Sequence, residues 1–170
     1  MKFIKHIFFL LAFIVVGAFT LQAQNILAKP NPARLLNDAA NIFSLAEKNN
    51  LEHKLISVEK YSSNQISIVS LNSLDGYPIE DYAKKLFNVW GIGDKEKNNG
   101  ILLLFSLNDR KIRIEVGYGI EGAISDIIAK SIIDNDITPN FKNREYYAGI
   151  NKAIDDLVLA ANGIYEIPIK

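Results

Sequence analysis

Five oxygen-bearing side chains are the residues of this sequence that most readily suggest chemistry. Asp38 ends a short apolar step, Asp75 lies in a loop after a predicted strand, and Asn99 begins a buried strand. Glu121 and Asp126 lie at the start of a predicted helix. Carboxylates and amides are the ligands that hard cations prefer, so the set favours Ca²⁺, with Mg²⁺ as the alternative. If an α/β sheet brings these residues to one edge, they form a divalent-cation site. The other interpretation is that each acid only caps a helix or faces solvent.

Other kinds of catalytic and metal sites lack the residues they need. The chain has no cysteine, which excludes disulfides, thiolate metal sites, a cysteine nucleophile and lipidation at a signal-cleavage cysteine. His53 is the single histidine beyond the N-terminal apolar segment, and it lies in the middle of a predicted helix. A Ser-His-Asp triad and a zinc site are therefore both disfavoured.

Two motif-like spacings have simpler explanations. Residues 117–122 match G-x-G-x-x-G, but a dinucleotide-binding fold needs a further strand with an acidic residue after the helix. The sequence instead predicts that Pro139 closes that helix and that another helix follows, so we interpret the glycines as a tight strand-to-helix turn. Residues 134–145 resemble an EF-hand loop, but Pro139 occupies the position where that loop needs glycine.

The N-terminus has the features of a secretory signal peptide. Lys2 and Lys5 precede an apolar stretch at 7–19, and Ala23 is a small residue before a plausible cleavage site at Gln24. An uncleaved anchor is the alternative. Removing residues 1–23 takes two lysines from 19 basic and 19 acidic residues, leaving 17 against 19. That balance does not suggest nucleic-acid binding. We expect the mature protein to be a soluble, extracytoplasmic monomer without a transmembrane anchor.

The remaining chain predicts an α/β fold. After an extended lead-in at 24–34, the element order is α, β, α, β, β, α, α within a single domain at 35–165. Ser44 and Glu47 form a capping box, and Trp90 continues an apolar helical stripe. Residues 101–105 and 111–116 predict a β-hairpin, and Asn143 is the predicted cap of the last helix. The expected architecture is an α/β/α sandwich, a small mixed sheet with helices on both faces.

An ordered set of segments resembles the TPM domain, a family named in part for a thylakoid-lumen photosystem II repair protein. The segments are Leu36–Ala40, Trp90–Gly93, Asn99–Leu104, Asp109–Arg110 with Arg113–Ile114, Gly117–Gly122 with Asp126, Pro139–Phe141 and Tyr146–Ile150. The resemblance implies an α/β/α sandwich outside the cytoplasm, with an acidic cleft that binds a divalent metal, usually calcium. Asp38 and Asp126 lie inside matched segments, Glu121 and Asn99 come next, and Asp75 lies in a variable loop.

Three functions are compatible with this resemblance. The first is a calcium-binding interaction or maintenance module of envelope complexes. The alternative is a metal-assisted acid phosphatase, an activity assigned to plant relatives, in which the cation polarises a phosphoryl oxygen. Arg110 and Arg113 are the only basic residues near the predicted site that could hold phosphate. The third is a purely structural secreted domain.

Overall fold

A mixed sheet organises the residues that the structure, a computed structural model, describes, which are 26–168. The predicted signal peptide lies outside this range. Four strands in the order β1-β2-β3-β4 form the sheet there; the first three are parallel and β4 is antiparallel to β3. The strands are β1 (Leu36–Asp38), β2 (Gln65–Leu71), β3 (Gly100–Ser106) and β4 (Lys111–Val116). The helices are α1 (Leu45–Ser62), α2 (Ile79–Trp90), α3 (Asp126–Ile132), α4 (Thr138–Lys142) and α5 (Tyr146–Ala161), with a π-helical segment at Ile133–Ile137.

The sheet separates two hydrophobic cores. Successive strand residues point to opposite faces, and every residue of β3 is buried. Leu102 and Leu104 pack with α2 on one face. Ile101, Leu103 and Phe105 pack with α1 and with the helices that follow β4 on the other. This arrangement confirms the predicted α/β/α sandwich.

Several local predictions are confirmed. Ser44 and Glu47 form the capping box that starts α1. Trp90 is 3% exposed at the end of the α2 stripe, and Gly91 ends that helix in the left-handed conformation. The predicted hairpin is formed by β3 and β4.

Three local predictions differ from the structure. The apolar step before Asp38 is a short strand, β1, because it pairs with β2. Pro139 does not close a helix: the chain continues through the π-helical segment, and the proline lies in the first turn of α4. Proline is tolerated there because a first-turn N–H needs no partner inside the helix. Asn143 does not cap α5, which begins at Tyr146 after Glu145 without a side-chain capping bond.

The lead-in contacts both the first turn and the last residue of α2. Leu27 donates its N–H to the Tyr82 hydroxyl (3.0 Å), and its carbonyl accepts from the Trp90 indole (2.8 Å). Lys29 also bonds to the Trp90 carbonyl. Between residues 26 and 168, no helix combines the length and the apolar character that a membrane span requires.

Candidate functional site

The Asp38 carboxylate is held by four groups of the protein itself. Its side chain is 3% exposed. Oδ1 accepts from the Ile42 N–H (3.1 Å) and the Ser70 hydroxyl (2.7 Å), while Oδ2 accepts from the Phe43 N–H (3.1 Å) and lies 2.9 Å from Lys48 Nζ. Each oxygen therefore already has two partners, which leaves little lone-pair capacity for a cation.

The pKa of Asp38 is lowered by these contacts. Burial acts to raise the pKa, but the hydrogen bonds from Ser70 and Lys48 and from the N–H groups of Phe43 and Ile42 together outweigh it. The carboxylate therefore stays charged at neutral pH and organises the turn between β1 and α1.

Asn99 has a comparable structural role at another corner. Its side-chain oxygen accepts from the Asp94 N–H (3.0 Å), and its amide donates to the Ser63 carbonyl (2.6 Å). It is buried and ties the loop before β3 to the end of α1. The amide oxygen that was predicted to bind a cation is thus engaged with the backbone.

The other three predicted residues are exposed. Asp75 follows β2 in the left-handed region, with φ of 51°. Glu121 lies in the turn after β4. Asp126 begins α3 with its side chain 90% exposed, and its carboxylate is 3.8 Å from Arg113. Among the described residues, these three carboxylates belong to no cluster of acidic or histidine side chains that could hold a metal ion.

The five residues do not meet at one edge of the sheet. Asp38 lies on the outer strand β1, whereas Asp126 contacts Arg113 of the opposite outer strand β4. With β2 and β3 between them, the two strands are about 14 Å apart at ~4.8 Å per step. Asn99 precedes the first residue of β3, whereas Asp75 follows the far end of β2, about 20 Å along the strand direction.

Metal-ligand side chains are also dispersed elsewhere. Across residues 26–168, no group of three or more histidine, aspartate or glutamate side chains is placed to hold a metal ion. The donor set does not fit one calcium site formed by the predicted residues. Calcium binding itself stays a prediction that follows from the family resemblance.

A cleft of about 350 Å³ opens beside Asp38. We call it the lead-in cleft, because the lead-in forms one wall, and β1 with the first turns of α1 forms the other. Its wall is part apolar and part charged. The lining residues are Leu27, Ala28, Pro30, Arg34, Leu36, Asn37, Asp38, Ala39, Lys48 and Glu52.

The charged side chains of the lead-in cleft differ in whether they already have partners within the protein. Both Glu52 oxygens accept backbone N–H groups, from Leu35 (3.0 Å) and Leu36 (2.8 Å). Lys48 is paired with Asp38. Arg34 is exposed and makes no ion pair within the described part of the chain. The group in the cleft that is available to a ligand is therefore a guanidinium, which prefers a carboxylate or phosphate.

The lead-in cleft was not predicted from the sequence. One pattern could have pointed to it: Lys48 and Glu52 are four residues apart, so both lie on one face of α1. The contribution of the lead-in could not be read in the same way, because its position depends on contacts with α2 that are distant in sequence.

The glycine motif after β4 is a packing turn. A Cβ on Gly119 would lie 1.9 Å from the Lys97 carbonyl oxygen, and one on Gly117 would lie 2.2 Å from that of Asn98. A Cβ on Gly122 would meet nothing within 4 Å. The first two glycines allow the turn to contact the loop before β3, which confirms the strand-to-helix interpretation.

Comparison with known proteins gives a family and a fold. A family model described as the TPM domain matches residues 36–160. The solution structure of an N-terminal domain from P. gingivalis is 30% identical, with a TM-score of 0.70 over 81% of this chain and 87% of that one. BA42 from Bizionia argentinensis is 20% identical, with a TM-score of 0.62 over 74% and 86%. The N-terminal domain of cg2496 from Corynebacterium glutamicum is 14% identical, with a TM-score of 0.56 over 86% and 90%. The latter two share the fold alone. No curated protein matches the chain.

Proposed function

Because the chain belongs to the TPM domain family, we propose that it acts outside the cytoplasm as an interaction module of an envelope complex. Its binding site is the lead-in cleft, and its ligand is an extended segment of a partner protein. The extracytoplasmic location is supported by the signal-peptide pattern at residues 1–23. The observation that carries the binding role is the combination of an apolar wall with an available Arg34 in one cleft.

A binding role agrees with how the acidic residues are used. Asp38 lies in a segment that matches the family. Both of its carboxylate oxygens contact donors of the protein itself. A general base or a metal ligand needs a free lone pair directed at the reacting group. Asp38 therefore acts as a positioning residue, which fixes Lys48 and the β1–α1 turn at the rim of the cleft.

The chemistry of the cleft selects the kind of ligand. Leu27, Ala28 and Pro30 offer an apolar surface for a side chain of the partner. Arg34, at the same cleft, offers a fork of donors for a carboxylate. The segment that suits both is an extended peptide that carries one apolar side chain and an aspartate, glutamate or terminal carboxylate.

Calcium binding and acid phosphatase activity are the alternative that the family resemblance implies. The five predicted ligands lie at separate places in the described structure, so a shared metal site among them has no support there. Calorimetric titration of the mature protein with Ca²⁺, together with a phosphomonoester hydrolysis assay, tests this alternative directly. Stoichiometric binding with turnover that depends on Ca²⁺ would favour the enzyme over the interaction module.

Site-specific photocrosslinking in the native cell tests the proposed function. A photoreactive amino acid at Ala28, in the cleft, should give a discrete adduct with an envelope protein. The matched control is the same amino acid at Asn88, an exposed position on α2. Adding Arg34→Ala should reduce the Ala28 adduct. Adducts that form at Asn88 and not at Ala28 would place the interaction surface elsewhere.

A further inference from the structure

Outside the lead-in cleft, one oxygen of a buried carboxylate has no hydrogen-bond partner among the described residues. Asp136 lies in the π-helical segment and is 2% exposed. Its Oδ1 is 2.7 Å from Lys152 Nζ, but within the described structure Oδ2 has no partner. Buried polar atoms are nearly always paired, so an orphan oxygen needs an explanation. Insertions of π-helix often coincide with functional positions.

A second carboxylate, that of Asp156, contacts the same lysine as Asp136. Asp156 is one turn beyond Lys152 on α5, and Lys152 Nζ is 2.8 Å from its Oδ2. Because Asp136 and Asp156 both contact Lys152 Nζ, at 2.7 and 2.8 Å, their contacting oxygens are no more than about 5.5 Å apart. Two acids and one lysine carry a net charge of −1. Binding one proton would neutralise the group and supply the donor that the orphan oxygen lacks.

Charged groups close to Asp136 and Asp156 in the sequence have their own partners. Asp134, on the same π-helical segment, pairs with Lys130 of α3 (2.9 Å). Asp155 of α5 pairs with Lys54 of α1 (2.7 Å). From α4, the Asn140 amide donates to the Asp136 backbone carbonyl (2.6 Å). The Asp136 side chain thus depends on α5 for its electrostatic partners.

We propose that Asp136 and Asp156 form a proton-binding carboxyl pair, bridged by Lys152, which tightens the π-helical segment against α5 when the surroundings become mildly acidic. In the acidic state one proton lies between the two carboxyl groups while Lys152 keeps both contacts. At higher pH both acids are charged, and their repulsion loosens the interface between the π-helical segment and α5. The pair is a pH sensor built into the helical layer, separate from the lead-in cleft.

The direction of the pH effect follows from the pKa of Asp136. The pKa is raised from 3.8 to about 6: burial is the largest cause, Lys152 opposes the rise, and Asp156 adds to it. Between pH 6 and 3.8 the folded protein therefore holds a proton that the unfolded chain has released. The contribution of Asp136 to stability therefore rises as the pH falls through about 6 and stops rising below 3.8.

Thermal unfolding of the mature protein and two variants tests the proposal. From about pH 7.5 to about pH 5.5, the wild-type melting temperature should rise by about 2–3 °C. Asp136→Asn keeps the shape and resembles the protonated acid, so it should melt higher than wild type at pH 7.5 and respond little to pH. Asp134→Asn, on the same segment, should follow the wild-type pH response.

Carbon-13 NMR titration of the aspartate carboxyl groups gives an independent result. The Asp136 resonance should titrate near pH 6 in the wild type, and Asp156→Asn should move its midpoint downward, because a repelling charge is removed. The proposal is overturned if Asp136 titrates below about pH 4.5. It is also overturned if Asp136→Asn and Asp134→Asn show the same pH response as the wild type.

Discussion

At the scale of single residues, burial and hydrogen bonding decide what each acidic side chain can do. Asp38 and Asp126 are similar in sequence, since each is an aspartate inside a family-like segment. The structure gives them opposite surroundings: Asp38 is enclosed by donors, and Asp126 is almost fully exposed. Residue type and spacing could not show this difference, because Ser70 reaches Asp38 only after β1 and β2 pair, and Lys48 only after α1 packs beside β1.

The first prediction concerns Asp38. Asp38→Asn should lower the free energy of unfolding by about 2 kcal/mol or more, because the amide cannot accept all four bonds and leaves Lys48 without its charge partner. Chemical denaturation measures this loss. Asp126→Asn is the matched control, and its effect should stay within about 0.5 kcal/mol. Equal effects of the two substitutions would contradict the structural role of Asp38.

A second prediction at the residue scale concerns how the contribution of Asp38 to stability changes at acidic pH. Because hydrogen bonds hold the pKa of Asp38 below its ordinary value of 3.8, its stabilising contribution is complete above that pH and is lost as the pH falls further. The stability difference between wild type and Asp38→Asn should therefore shrink below about pH 3.8. Denaturation curves at pH 7 and pH 3 measure it; an unchanged difference would contradict this prediction.

At the scale of elements, close backbone contacts explain the glycine turn after β4. Gly119→Ala should destabilise the protein by about 1–3 kcal/mol, because its Cβ would overlap the Lys97 carbonyl oxygen. Gly122→Ala offers a control in the same motif, where a Cβ meets nothing nearby. Denaturant unfolding measures the free energy of unfolding of both variants, and a loss confined to Gly119→Ala indicates that the turn has a packing role. If Gly122→Ala were the more destabilising change, the packing explanation would be incorrect.

A further prediction at this scale concerns the junction of the lead-in with α2. Trp90→Ala should cost ~3–5 kcal/mol, because Trp90 is buried and also holds the Leu27 carbonyl. Trp90→Phe keeps most of the packing and removes the indole donor, so it should cost less and chiefly release the lead-in. Unfolding free energies and hydrogen exchange at Leu27 report the two effects. A loss below about 1 kcal/mol for Trp90→Ala would be inconsistent with its burial.

At the scale of the whole molecule, the sequence predicted the fold better than the site. The apolar run of β3, the alternation in β4 and the capping box of α1 are local patterns, and each produced the expected element. The site depends on which strand edge each residue occupies. Since β1 is only three residues long, its pairing with β2 was not evident, and the five oxygen ligands could not be assigned to edges.

Asp136 was not predicted from the sequence either, because its role depends on contacts between elements that are distant in the chain. It follows Ile132 by one helical turn, so it lies on a face that is otherwise apolar. An acidic residue on an apolar helical face is the sequence pattern that could have identified Asp136. Its partners Lys152 and Asp156 lie on α5, and nothing in the local sequence connects the two elements.

The central claim is that the lead-in cleft binds a carboxylate-bearing segment of an envelope partner. The most direct test is calorimetric titration of the partner identified by crosslinking at Ala28 into wild type, Arg34→Ala and Lys84→Ala. Lys84 is an exposed lysine on α2, outside the cleft. We predict that Arg34→Ala weakens binding about tenfold or more and that Lys84→Ala changes it less than about twofold. Wild-type affinity in Arg34→Ala would contradict the account.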